Sequence, residues 1–394
     1  MRDSVEADAK TAGRCRMELM NDQELNHLTQ AGATGVPALV DGLLIRARAR
    51  QASDLHLEPT ASGMLARLRV DGVLEKLISI PARLAPNLVA RCKVLAGLLT
   101  YKCDIPQEGG FRDAGGEGRV STLPTVHGEK VVVRFFHTGQ SQLLADLRLP
   151  VRVEAGLERA LARREGMVLV TGPSGSGKTT TLYACLERLA GEGRQVSTLE
   201  DPVEREVPGV TQSSIQPASG FDFARGLRSL LRQDPEVVLI GEIRDKETAG
   251  ISLEASLTGH LVLATLHAGL ASGVAGRLLD MGLEPYLLTG ALRGVLHQRL
   301  VRCRCQCANG CDACRQTGWR GRRPLAEWLE PGTAFRAAVL ARSDSAGLQQ
   351  AAIEDGMTPL EEEARSAMDE GWTNLEEVRR VLGPDACGES GRPQ

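Results

Sequence analysis

Aromatic side chains are scarce in this sequence: Phe, Trp and Tyr make up only 3% of its 394 residues. A groove that stacks successive bases on rings needs basic and aromatic side chains interleaved, so a single-strand nucleic-acid channel is not expected. Neither sign of charge dominates. With 47 basic and 50 acidic residues the net charge is −3, and no overall field draws the chain to a polyanion. Direct nucleic-acid contact is therefore not expected. Runs of about 18 uninterrupted apolar residues are missing, which excludes a membrane-spanning helix, and Met1 to Asp8 lacks the apolar core of a signal peptide. The expected location is the cytoplasm, with work at a membrane done through partner proteins. Internal repeats and low-complexity tracts are also missing. An apolar fraction of 42% and a charged fraction of 25% are those of ordinary globular proteins, which excludes disorder and collagen-like repeats. At about 150 residues per domain the length suggests two to three domains.

Cysteine is well represented and unevenly spread. Cys303, Cys305, Cys307, Cys311 and Cys314 share one short window, whereas Cys15, Cys92, Cys103, Cys185 and Cys387 are scattered and read as small buried hydrophobes. Without a signal peptide the expected compartment is reducing, which favours metal over disulfides. Cys311-x-x-Cys314 with Cys305 and Cys307 upstream offers four thiolates, the soft tetrahedral set that zinc prefers. The Cys-x-Cys pair is tighter than the usual Cys-x-x-Cys, and Cys303 competes for a place in it; a reduced, metal-free cluster is the alternative. Arg299, Arg302, Arg304, Arg315, Arg320, Arg322 and Arg323 crowd the same region, and a solvated face is preferred there over a nucleic-acid groove.

The polar residues 1–35 read as a loose or weakly helical leader, with structure starting after it. An α+β lobe is expected over 36–140. It opens with a helix from Val36 carrying Leu39, Val40, Leu43 and Leu44, followed by strands of period two at 54–58 and 64–70 and an Asp71-Gly72 hairpin turn. A helix over 84–99 and strands at 119–123 and 129–136 complete it. After a link at 141–150, an α/β lobe over 151–300 is announced by apolar strands near 168, 196, 237 and 261 alternating with helical stretches. A cysteine-rich element over 301–323 and a helical region over 324–394, with helices at 334–340, 345–354, 359–370 and 375–381, end the chain.

The α/β lobe carries the chemistry. Gly172-Pro-Ser174-Gly175-Ser176-Gly177-Lys178-Thr179-Thr180 fits the phosphate-binding loop GxxxxGK[ST], placed between an apolar strand and a helix as the mechanism needs. Its glycines let backbone N–H groups wrap phosphates, Lys178 reaches the β and γ oxygens of ATP, and Thr179 ligates Mg2+. Val237-Val-Leu-Ile-Gly-Glu242 is an apolar strand ending in a carboxylate, suited to a Walker B role with a metal-bound or attacking water; pairing with Arg244 is the plainer reading. Leu199-Glu200-Asp201-Pro202-Val203-Glu204 likewise ends a strand in carboxylates. Thr258-Gly-His260-Leu-Val-Leu-Ala-Thr-Leu-His267 puts histidines at both ends of a strand, and the odd spacing argues against a shared metal.

Together these motifs resemble the type II secretion and type IV pilus assembly ATPases of GspE/PilB type. The match runs from Ala52-Ser-Asp-Leu-His-Leu-Glu-Pro through Pro106-Gln-Glu-Gly, Arg119-Val-Ser-Thr-Leu-Pro and His127-Gly-Glu-Lys to the phosphate-binding loop. It continues through Thr198-Leu-Glu-Asp-Pro-Val-Glu, Ile240-Gly-Glu-Ile-Arg-Asp and the histidine segment to Cys311-x-x-Cys314-x-x-Thr-Gly-Trp-Arg-Gly-Arg and Asn374-Leu-Glu-Glu-Val. The resemblance implies a PAS-like lobe followed by a RecA-like ATPase lobe, assembled as a homo-hexamer on an inner-membrane platform protein, with a membrane-anchored docking protein as a further partner. Its activity would be ATP hydrolysis driving pilin or pseudopilin assembly, with ATP, Mg2+ and Zn2+ as cofactors. A catalytically weak ring subunit or a DNA-uptake ATPase of the same family is the alternative. By the same resemblance Glu200 and Glu242 activate or position water, His260 and His267 couple phosphate state to conformation, and Arg119 is directed at nucleotide phosphate. Arg225 and Arg228 match arginines of the helix after the acidic segment. Three departures stand out: Gly110 where an arginine is common, a short leader in place of a long docking domain, and only Ala308, Asn309 and Gly310 between the cysteine pairs.

Overall fold

The computed structural model describes residues 22–136, 143–307 and 310–388. The chain divides into two compact units, Met1–Gly139 and Gln140–Gln394.

In the first unit, strands β1 (Asp54–Thr60), β2 (Gly63–Val70), β3 (Val73–Pro81), β4 (Gln107–Asp113), β5 (Gly116–Thr125) and β6 (Gly128–Phe135) form an antiparallel sheet in the order β3-β2-β1-β6-β5-β4. The period of two decides its faces. Leu55, Leu57, Ala66, Leu68, Val120, Val131 and Val133 are buried with Leu39, Leu43 and Leu88 of helices α2 (Val36–Ala49) and α3 (Ala85–Leu95). On the alternate positions Arg134 pairs with Asp54 at 2.9 Å, Lys130 with Glu58 at 3.1 Å and Arg119 with Glu108 at 2.7 Å. The expected hairpin turn is present, with Asp71 at φ 47° and Gly72 at φ 81°. Gly110 lies opposite Arg119 in the β4–β5 ladder, and a Cβ there would meet nothing nearer than 3.9 Å, so space does not exclude a side chain.

The leader is helical in part, one of the two readings given for it, but ordered structure begins earlier than expected. Helix α1 (Asp22–Leu28) precedes the residue at which structure was expected to start, and Leu25 is fully buried in the core. Two leucines one turn apart suffice for a one-sided contact, which the polar average of the segment conceals. Residues 1–21 of the leader, with Cys15, lie outside the described residues. Among the scattered cysteines, Cys92 and Cys185 are buried, while Cys103 is exposed and Cys387 half-buried.

The second unit is built on a seven-stranded sheet: β7 (Gly166–Thr171), β8 (Val196–Glu200), β9 (Val210–Ser214), β10 (Val237–Ile240), β11 (Leu261–Leu266), β12 (Leu292–Arg304) and β13 (Trp319–Leu329), in the order β13-β12-β7-β11-β10-β8-β9. All pairs are parallel except β12 with β13. Continuous apolar strands mean that both faces are covered. Val168, Val170, Leu239 and Leu263 join a core with α4 (Val151–Leu161) and α5 (Lys178–Gly191). Met167, Leu169, Val238 and Val262 join the other, with α6 (Phe223–Leu230), α7 (Lys246–Leu257), α8 (Gly273–Asp280), α9 (Pro285–Ala291), α10 (Thr333–Leu340) and α11 (Ser345–Glu354). A smaller core joins Val301 and Leu325 to α12 (Leu360–Asp369) and α13 (Leu375–Leu382).

The segment from 301 differs from the sequence reading. Strands β12 and β13 pair from Val295↔Leu329 to Arg304↔Trp319, so both run across the expected boundaries at 301 and 324, and the cysteine segment is the connection between them. Arginines and Pro324 mask β13 as a strand. An edge position tolerates both, since Pro needs no ladder donor there and charged side chains reach solvent.

Candidate active site

Four parallel strands end on one side of the second sheet, and their ends build the site. Strand β7 is wholly buried and stops at Thr171. The chain then turns through Gly172, Gly175 and Gly177 at φ 142°, 74° and 92°, conformations that side chains with a Cβ rarely adopt. Space matters too: a Cβ on Gly172 would lie 2.4 Å from the carbonyl oxygen of Gln298. Helix α5 starts directly at Lys178, so its unpaired N–H groups face the loop. The Lys178 ammonium donates to the carbonyls of Gly172 (2.9 Å) and Pro173 (3.0 Å). Burial lowers its pKa, and Glu242 opposes that shift.

A cleft of about 320 Å³ opens above this loop. Ser174, Gly175, Lys178 and Thr179 line one wall; Glu200, Asp201, Glu242, Arg244, Thr265 and His267 line the ends of β8, β10 and β11. Glu242 is held from two sides, with His267 Nε2 3.1 Å from one oxygen and Arg244 Nε 2.6 Å from the other. Arg244 also reaches Asp201 at 3.4 Å. Pairing with Arg244 and a place in the cleft thus hold together. Glu200 is 5% exposed and accepts from Thr198 and Gln212 on one oxygen and Tyr183 on the other. The arrangement presents a backbone cradle with one ammonium to phosphate, and hydroxyls and four carboxylates (Glu200, Asp201, Glu204 and Glu242) to a cation or a water.

Gly172, Ser176 and Gly177 shape the loop without lining the cleft, and Thr180 is exposed. His260 stays away: its Nδ1 lies 3.1 Å from the carbonyl of Ala255 at the start of β11, and the six strand residues separating it from His267 span roughly 20 Å. Arg225 and Arg228 lie on α6, one donating to Gly220 O and the other paired with Glu247 at 2.7 Å, and neither lines the cleft. Arg119 belongs to the first unit.

Two residues went unnoticed in the sequence. Buried Gln298 of β12 donates from Nε2 to Ser176 O (2.6 Å) and accepts from Thr181 Oγ1 (3.0 Å), clamping the phosphate loop. No local pattern marks it, because the contact spans 122 residues. Tyr183 offered a signal: it is one of only three tyrosines and follows the loop lysine by five residues.

At the β12–β13 connection the sulfurs of Cys305, Cys307, Cys311 and Cys314 lie within 4.8 Å of one another, and Cys303 is not in the set. The pairs Cys305–Cys311, Cys307–Cys314 and Cys311–Cys314 are 3.7, 3.5 and 3.7 Å apart. A tetrahedral centre with Zn–S bonds of about 2.3 Å places its sulfurs roughly 3.8 Å apart, so the donor set fits that ion. Among the neighbouring arginines, Arg302 binds Glu377 at 2.8 Å and lies over the Trp319 ring, and Arg323 lies over Trp372.

The family model for the type II/IV secretion system protein matches residues 29–380. The type II secretion system protein HxcR of Pseudomonas aeruginosa is 43% identical over 90% of this chain and 78% of its own length. The type IV pilus assembly ATPase PilB of Myxococcus xanthus is 38% identical over 89% of this chain and 68% of its own. Among solved structures, the pilus retraction motor PilT with bound ADP superposes with a TM-score of 0.65 at 25% identity, covering 87% of this chain and 96% of that one. The Legionella pneumophila ATPase DotB gives 0.67 at 24% identity, covering 87% and 95%, a likeness of fold. The motif-bearing cleft and these matches agree, and the chain belongs to the secretion and pilus ATPase motors of GspE/PilB type.

Proposed function

We propose that the cleft at the ends of β7, β8, β10 and β11 is where this ATPase hydrolyses ATP, as the subunit of a homo-hexameric ring that drives pilin or pseudopilin assembly. One observation carries the reading: Lys178, Thr179, Glu200, Glu242 and His267 come from four separate motifs and line a single cleft. The loop N–H groups and the start of α5 receive the phosphates, and the Lys178 ammonium, drawn off its own carbonyls, neutralises the β and γ oxygens. Thr179 would offer its hydroxyl to Mg2+, which would supply charge neutralisation to the phosphates. Glu200 orients the attacking water and takes its proton. Glu242, shared between His267 and Arg244, reads the γ-phosphate through His267, so that its loss changes what the loop after β11 contacts.

Cys305, Cys307, Cys311 and Cys314 hold Zn2+ as a structural ion. Arg119, Arg225, Arg228 and His260 enter the reading by resemblance alone, not through the cleft. The partners are the secretion machinery, specifically an inner-membrane platform protein and a membrane-anchored docking protein, met from the cytoplasmic side.

Steady-state phosphate release tests the assignment. Lys178→Ala removes the only lysine lining the cleft among the described residues and is expected to abolish Mg2+-dependent turnover in a folded protein. Turnover like that of the wild type would overturn the site.

A further inference from the structure

We propose that Tyr183 and Gln212 are positioning residues that aim the Glu200 carboxylate at the nucleotide cleft. Glu200 ends β8 and is almost wholly enclosed, yet it lines the cleft. Its Oε2 accepts from the Tyr183 hydroxyl; its Oε1 accepts from Thr198 Oγ1 at 2.6 Å and from Gln212 Nε2 at 3.1 Å. Thr198 lies two residues back on the same strand and moves with it, so it cannot set where Glu200 stands relative to the phosphate loop. Tyr183 can. It sits on α5 five residues after Lys178, about 7.5 Å along the helix that the loop opens into, and its hydroxyl ties that helix to β8.

Both donors are themselves fixed. The Tyr183 oxygen accepts from Glu204 N at 3.2 Å, and the Arg205 guanidinium lies 5.0 Å from the ring centre. Gln212, on β9, accepts from Val207 N at 2.7 Å and donates to Arg205 O at 3.1 Å. Burial first, and Glu200 next to it, push the Tyr183 phenol well above its ordinary pKa, so it remains a donor at working pH. No ion pair to Glu200 occurs among the described residues. Its hydrogen-bond partners are neutral, whereas Glu242 is paired with Arg244. Two carboxylates in one cleft are thus set up differently, one aimed by neutral donors and one gripped by a cation.

The inference rests on the reading of Glu200 as the carboxylate that handles water. Tyr183→Phe keeps the ring and its stacking and removes one donor. Its kcat should fall on the order of tenfold to a hundredfold, as expected for a misplaced reacting group, with KM for ATP and melting temperature nearly unchanged. Gln212→Leu should act in the same sense. In a Glu200→Gln background, Tyr183→Phe should cost nothing further in single-turnover phosphate release, because both changes act through one carboxylate. Full kcat in Tyr183→Phe, a loss matched by a lower melting temperature, or an equal fractional loss in the Glu200→Gln background would overturn the inference. Wild-type turnover in Glu200→Gln alone would instead bring down the underlying reading of Glu200.

Discussion

Gln298 shows how much the Gly172–Thr179 loop depends on a side chain from a distant strand. Its amide satisfies a loop carbonyl and a helix hydroxyl at once, both out of reach of water. Gln298→Leu is nearly the same size but leaves Ser176 O without its donor and Thr181 Oγ1 without its acceptor. Buried groups orphaned in this way cost about 1–3 kcal/mol each, so the variant should melt lower and bind a fluorescent ATP analogue more weakly. Thermal melts and nucleotide titrations on one preparation check it; unchanged values in both would show that the loop holds its own shape. The loop itself was legible residue by residue, because phosphate binding demands glycines, a lysine and a hydroxyl at fixed spacing. Its support was not, because a hydrogen-bonding amide from a distant strand obeys no spacing rule. His260 is the converse: the spacing already set it at the opposite end of a strand from His267, and it was the family resemblance that gave both one role, whereas only His267 lines the cleft.

The β12–β13 pair is the element that the sequence hid most fully, and two predictions belong to it. Four thiolates closing around zinc contribute on the order of 10 kcal/mol to local folding at neutral pH. Elemental analysis should therefore find about one zinc per chain. Cys311→Ser and Cys305→Ser should lose it and Cys303→Ser should keep it; retention in Cys311→Ser would show the ligand set to be wrong. The second concerns Glu377, which fastens α13 to β12. One carboxylate there accepts from Arg302 N, Nε and Nη2 and from Arg380 Nε and Nη2. Burial alone pushes its pKa up, but the hydrogen bonds from Arg380 and Arg302 outweigh burial and hold it at about 2, below the ordinary 4.5. A folded pKa below the unfolded one means that the contribution, on the order of 3 kcal/mol, is complete above about pH 4.5 and fades as pH falls toward 2. Denaturant midpoints measured across that window should fall less steeply in Glu377→Gln than in the wild type. Parallel curves would mean that other carboxylates set the acid limb.

For the whole molecule, fold class was readable because parallel strands buried on both faces leave unbroken apolar runs, and because half-buried antiparallel strands alternate. The sequence was silent where a single side chain decides, as Leu25 does for α1. It was also silent where an edge strand carries charge, as β13 does. No helix among the described residues is long and apolar enough to cross a membrane. The ends of four strands supply the cleft, yet the sheet beneath them keeps two cores apart. Val168 and Leu263 are register partners on one face, whereas Leu253 of α7 packs on the other. Defects on opposite sides of such a partition do not share a void, so their energies should sum. Val168→Ala with Leu253→Ala should lower stability by the sum of the single losses, within about 0.5 kcal/mol, whereas Val168→Ala with Leu263→Ala should depart from that sum. The sheet that gathers the cleft residues at its rim also acts as a bulkhead, confining damage in either core to its own side.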